Sequence, residues 1–281
     1  MSILKLYSLI KESIIVSEPL NKWLSCCYRT PCRYIQFRVI DIQEQCVPNE
    51  EIKSFISSSL AFERFDPSFI QDMVRELGWE SIAEEIIESN SEDLSSFHKG
   101  DIGEMFFSVI LREFHNYTIP VPKLRSKMIT AQSQPRTDIL ALKIDQNNTI
   151  TEVCYFEVKL RTTSDNYSAT DSYLQLMDAF NSRTPSIIKF VASRLYELND
   201  PLCDNFFSYL TQRRISGDID NFQIGLCYEK ENWDEKVLEN LEDTEIELPN
   251  LTTQILQIEN LRALLNDIFN DSNEKKVSNH K

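Results

Sequence analysis

Residues 138–161 read DILALKIDQNNTITEVCYFEVKLR. Two runs rich in β-branched and aromatic side chains, 138–145 and 150–161, flank Gln146-Asn147-Asn148, a turn-forming triplet. Strands joined by so short a turn are antiparallel, so the sheet that holds them is not purely parallel. Such pairing brings Asp138, which opens the first strand, towards the far end of the second, near Glu157–Arg161. Glu157 and Lys159 are two residues apart and share one face, while Cys154, Phe156, Val158 and Leu160 share the other as a buried set. An ionised Glu and Lys on a largely apolar strand cost free energy unless they are paired or bind something.

Outward from this hairpin the pattern is mixed. A helix is predicted over 101–115, with Ile102, Phe106, Val109, Ile110 and Phe114 on one stripe, and Pro120 and Pro122 prevent its continuation. Downstream, the spacing predicts a helix near 170–182, a strand at 186–192 and a helix at 194–212. A strand at 222–228, a Glu-rich stretch, a strand at 252–258 and a helix at 260–269 follow. Upstream, residues 33–41 alternate as a strand does, and residues 67–90 carry helical apolar spacing among many Glu. The expected fold class is α/β, an α+β arrangement around a mixed sheet. The polar stretch 91–99 suggests a boundary, giving an N-terminal mixed α/β region 1–97 that is a candidate for partner docking, a domain over 98–270, and a polar tail 271–281.

Composition excludes several chemistries. With five glycines in 281 residues, neither G-x-G-x-x-G nor G-x-x-x-x-G-K-[ST] can be written, and there is no G-x-S-x-G. His98, His115 and His280 make no H-E-x-x-H, and Cys26, Cys27, Cys32 and Cys46 contain no C-x-x-C, so zinc is not expected. Seven cysteines without even spacing fit reduced thiols. No apolar run approaches the roughly 18–20 residues that span a bilayer, and no signal-peptide pattern opens the chain. A cytoplasmic protein with no membrane contact and no small-molecule cofactor is expected. What remains is carboxylate chemistry.

The net charge of −15 is unevenly spread. Residues 61–98 carry two basic and ten acidic side chains and residues 196–281 eight and eighteen, whereas residues 99–195 carry twelve and ten. In an extended segment Lys123, Arg125 and Lys127 would form one positive stripe, either a solvated strand edge or a track for a phosphate backbone. Arg136 and Arg161 add to the same basic block.

Hydrolysis of a phosphodiester needs a hard cation on oxygen ligands, an activated water and positive charge near the phosphate. Asp138, Glu157 and the Val158 carbonyl can hold Mg²⁺, with Mn²⁺ as its substitute, and Lys159 can orient the water. The competing reading of Glu157 and Lys159 is a charge pair on an exposed edge strand. For Glu104 it is a solvated helix position beside Ser108 and His115.

The ordered set Glu104 in GDIGEMFF, Asp138, the hairpin and Glu157-Val158-Lys159 resembles the PD-(D/E)xK nucleases, with Thr137 where that pattern has Pro. The resemblance implies a restriction-endonuclease-like core in which Glu104 assists metal binding and Gln175, in DSYLQLMDAF, faces the site. The Gly-Glu helix, PKLRSK, the Asp strand and FEVKLR occur in the order that also resembles the effector subunit of Hachiman-type antiphage systems, over roughly residues 100–270. That likeness implies a defence nuclease working with a helicase partner on DNA. Two alternatives have a different logic: a nuclease fold that binds without cleaving, or an acidic interaction protein. The second is disfavoured because a DNA mimic would string its acids together, and here the central block is net positive.

Overall fold

In a computed structural model, which describes residues 18–29, 34–64, 99–128, 137–182, 184–213 and 220–268, the hairpin forms as read. Strand β3 (Ile139–Ile144) pairs antiparallel with β4 (Ile150–Arg161), with Ile139 opposite Phe156. The first has 6 residues and the second 12, so the end of β4 runs on without a β3 partner. β4 then pairs in parallel with β5 (Asp220–Glu229), and β5 in parallel with β6 (Thr252–Ile258). Parallel neighbours require crossovers, supplied here by helices. Strands covered on both faces read as near-continuous apolar runs, as NFQIGLCY does in β5.

The sheet does not stop at residue 97. β1 (Leu24–Tyr28) pairs antiparallel with β2 (Arg38–Glu44), which pairs in parallel with β6, giving a six-stranded sheet in the order β1-β2-β6-β5-β4-β3. The described part of the N-terminal region thus shares one sheet with the rest. Arg29 pairs with Asp41 and with Glu235, and the Tyr34 hydroxyl donates to Glu235 Oε1 at 2.7 Å, tying the β1–β2 pair to the stretch that follows β5.

Helices cover both faces. On one lie α1 (Glu18–Trp23), α2 (Glu50–Arg64), α3 (Lys99–Glu113) and a last helix over residues 261–268, packed on Cys154, Phe156, Val158, Leu160, Cys227 and Leu256. On the other lie α4 (Ser168–Asn181), α5 (Ser186–Glu197), α6 (Cys203–Arg213) and α7 (Lys236–Glu242), packed on Val153, Tyr155, Ile224, Leu226 and Ile255. The result is a helix–sheet–helix layering.

Three expectations are corrected. The strand expected at 186–192 is the first half of α5, and the helix expected over 194–212 is split between the end of α5 and α6. Ile187, Ile188, Val191 and Leu195 are buried at helical spacing. The segment holding Lys123, Arg125 and Lys127 is not extended. It is a 3-10 helix, Lys123–Met128, in which three residues complete a turn and alternate residues no longer share a face. The helical pattern at 67–90 and the tail 271–281 lie outside the described residues.

Gly225 on β5 fixes how closely α3 approaches. A Cβ there would sit 2.5 Å from Phe156 Cε1 and 2.7 Å from Phe107 Cδ2, two rings whose centroids are 5.3 Å apart. Gly225→Ala should therefore lower unfolding stability by about 1–3 kcal/mol through overpacking, read as a reduced urea midpoint. An unchanged midpoint would show that the rings move aside at no cost.

Candidate functional site

The site is built where β3 begins and β4 runs on past it. The first residue before β3 is Asp138, and its Oδ2 accepts a hydrogen bond from the Val158 N–H at 2.9 Å, taking the place of the missing strand partner. In a β-strand the N–H and C=O of one residue point to the same side, so the Val158 carbonyl also faces this open edge. The other Asp138 oxygen, Oδ1, accepts from Lys123 Nζ at 2.9 Å.

Next along β4, Glu157 is 2% exposed and lies on the α4 face of the sheet, opposite Phe156 and Val158. Its Oε1 accepts from Lys159 Nζ at 3.1 Å, its Oε2 is buried with no donor on it, and the protonated carboxyl hydrogen-bonds to Asp138. Burial first, and the neighbouring Asp138 charge second, push the Glu157 carboxyl up to about 8, with Lys159 opposing. Lys159 Nζ also donates to Gln175 Oε1 at 3.1 Å, so α4 holds the lysine from the other side. Gln175 lines a cleft of about 240 Å³ shared with Thr137, Asp178, Ser182, Thr184, Ser186 and Lys189.

Asp138, Glu157, Lys159 and Gln175 are thus brought together. Glu104 is buried on α3, a helix packed against the opposite face of β4, where its neighbour Gly103 leaves room for Val158 and Leu160. Among the described residues no group of three His, Cys, Asp or Glu side chains stands gathered to hold a metal. The residues present nevertheless suit a hard dication: two adjacent carboxylates, one with a buried oxygen that has no donor on it, beside a main-chain carbonyl at an open strand edge.

The basic residues fare differently. Lys123 is buried against Asp138 rather than lined up for a phosphate backbone. Arg125 Nη2 donates to the Phe62 carbonyl at 3.2 Å, with its guanidinium 5.4 Å over the Phe62 ring. Arg161 Nε donates to Asp165 Oδ2 at 2.7 Å, and Asp165 in turn accepts from the Tyr167 N–H and the Ser168 hydroxyl at the start of α4. Arg136 and the side chain of Lys127 lie outside the described residues.

Sequence reasoning did not single out Lys99 and Arg262, which converge just past the end of β4. Lys99 Nζ donates to Thr162 Oγ1 at 2.9 Å, and Arg262 Nη2 to the Thr162 carbonyl at 2.7 Å. No local motif flags them, because the two residues meet only through the packing of α3 and the last helix on the same face. The contact between Lys123 and Asp138 was equally invisible, since it depends on the path of the connection after α3.

Fold and site together define an α+β protein whose acid–acid–lysine centre, on a strand of a mixed sheet, resembles that of the PD-(D/E)xK nucleases. A family model described as HamA matches residues 25–278, nearly the whole chain, and the chain belongs to that family. It is accordingly a component of a Hachiman-type antiphage defence system. No curated protein matches it. Among the described residues, no helix is long and apolar enough to cross a membrane.

The raised Glu157 carboxyl has a consequence for stability. The folded chain holds this proton more tightly than the unfolded chain, where glutamate titrates near about 4.3. The stability it contributes is complete below that value and is lost as pH rises towards about 8. In EDTA, the melting temperature should fall between about pH 5 and pH 8, and Glu157→Gln should flatten that fall and melt higher at about pH 8. Equal slopes in the two proteins would contradict the burial of a carboxyl group at this position.

Proposed function

We propose that the chain is a metal-dependent DNA nuclease, the effector of its defence system, restrained by a helicase partner until that partner delivers DNA. The observation that carries this reading is Glu157: a buried carboxylate beside Asp138 with one oxygen left without a donor. An uncompensated buried acceptor costs free energy, and a bound cation would remove that cost. Oxygen donors without thiolate or imidazole favour Mg²⁺, or Mn²⁺, over Zn²⁺.

Asp138 and Glu157 would hold the cation with the Val158 carbonyl. When bound, such a cation lowers the pKa of a water and offsets charge on the phosphate. Lys159, fixed between Glu157 and Gln175, is suited to orient the attacking water and to stabilise the negative charge that develops. Gln175 acts through Lys159, holding its ammonium in one place. The cleft beside Thr137 and Gln175, with Lys189 on its wall, gives a DNA strand a way past these groups. Lys99 and Arg262 offer cations at the neighbouring end of β4.

The charge map supports the role of a partner. A chain of net charge −15 is repelled by DNA at long range, and phosphate neutralisation supplies most non-specific affinity. On this reading the chain alone binds DNA weakly, and a helicase supplies both basic surface and strand.

Supercoiled-plasmid cleavage by the purified chain, alone and co-expressed with the proposed helicase partner, tests this. Cleavage should require Mg²⁺, stop in EDTA and rise with the partner. Asp138→Ala and Lys159→Ala should fold and lose activity by at least about a hundredfold. Wild-type cleavage by a folded Lys159→Ala protein, or equal cleavage in EDTA, would overturn the reading. Tight, salt-resistant DNA binding by the chain alone would overturn the part assigned to the partner.

A further inference from the structure

Lys123 is the least expected member of the site. It is 9% exposed, and its ammonium lies 2.9 Å from Asp138 Oδ1 while the Val158 N–H holds Oδ2. A buried ammonium is costly unless a carboxylate faces it, so the pair is mutually dependent. The same Asp138 oxygens are those offered to a dication, and two cations on one carboxylate repel each other. Lys123 therefore stands where it opposes metal loading.

The position of Lys123 is set from elsewhere. Its 3-10 helix, Lys123–Met128, is fastened to the end of α2 by Arg125, which donates to the Phe62 carbonyl and covers the Phe62 ring. On the same stretch of α2, Glu63 is buried and paired with Arg112 of α3. The end of α2, the 3-10 helix and Asp138 thus form one connected chain of contacts running from the N-terminal part of the protein to a candidate metal ligand.

We infer that Lys123 is a built-in counter-ion that holds Asp138 in place of a metal, and that the Arg125–Phe62 anchor sets how firmly it does so. The inference rests on the nuclease reading and adds a gate to it: displacement of the end of α2 withdraws Lys123 and frees Asp138 for the cation. A partner that grips this part of the chain would then control metal loading rather than the chemistry itself.

The test is Mn²⁺ binding to the full chain, measured by the electron paramagnetic resonance of the free ion, for wild type, Lys123→Met, Arg125→Ala and Asp138→Asn. Lys123→Met keeps the length and removes the charge, and should bind Mn²⁺ about tenfold more tightly. Arg125→Ala, which leaves the lysine in place, should shift affinity the same way by less, and keeps the test decisive should Lys123→Met fail to fold. Asp138→Asn should remove the binding. Asp138-dependent binding that is present in wild type and unchanged or weaker in both Lys123→Met and Arg125→Ala overturns the gate and leaves the nuclease reading standing. The absence of Asp138-dependent binding from every protein overturns both.

Discussion

Two carboxylates held side by side in a poorly solvated place are the constraint on which the rest of this structure depends. Glu157 is almost fully buried and Asp138 is its neighbour across the hairpin, so both burial and the Asp138 charge make Glu157 harder to ionise. The protein meets that cost with Lys159 on Glu157, Lys123 on Asp138 and the Val158 N–H on the remaining Asp138 oxygen. One oxygen, Glu157 Oε2, is left without a donor. A fold selected for stability alone would fill these positions with apolar side chains of similar size.

The architecture explains why this arrangement falls where it does. β4 is twice as long as its antiparallel partner β3, so the last part of β4 has an open edge, and a side chain can bond there to the main chain. The α3 face of β4 is closed by close helix packing around Gly103 and Gly225, which keeps that side dry. On the opposite face α4 brings Gln175 to Lys159 and leaves a cleft alongside. Membership of the HamA family gives the site its setting, a defence system.

Much of this was legible in the residues, for identifiable reasons. The Gln146-Asn147-Asn148 turn and the flanking strands bring Asp138 towards the far part of β4, and a one-residue shift of register between Lys143 and Ile144 sets it beside Glu157. Alternation along β4 separated Glu157 and Lys159 from Cys154, Phe156, Val158 and Leu160. Three things were not legible. The first half of α5 was read as a strand, although Ile187, Ile188, Val191 and Leu195 are buried at helical spacing, because a short apolar run does not by its period alone distinguish strand from helix. The stripe at Lys123, Arg125 and Lys127 presumed an extended backbone, and the 3-10 helix sends Lys123 inward. The strands before residue 97 join the main sheet through β6, some two hundred residues away in sequence, a contact that no local pattern announces.

The most direct measurement of the central claim is the position of a bound metal. Crystals of the metal-free protein soaked in Mn²⁺ and measured near the manganese absorption edge should give an anomalous peak between the Asp138 and Glu157 carboxylates, about 2.1–2.2 Å from their oxygens. An Asp138→Asn protein treated the same way should give none. A wild-type crystal with no peak at these two residues, or with its only peak elsewhere while the carboxylates remain as they are, would contradict the account.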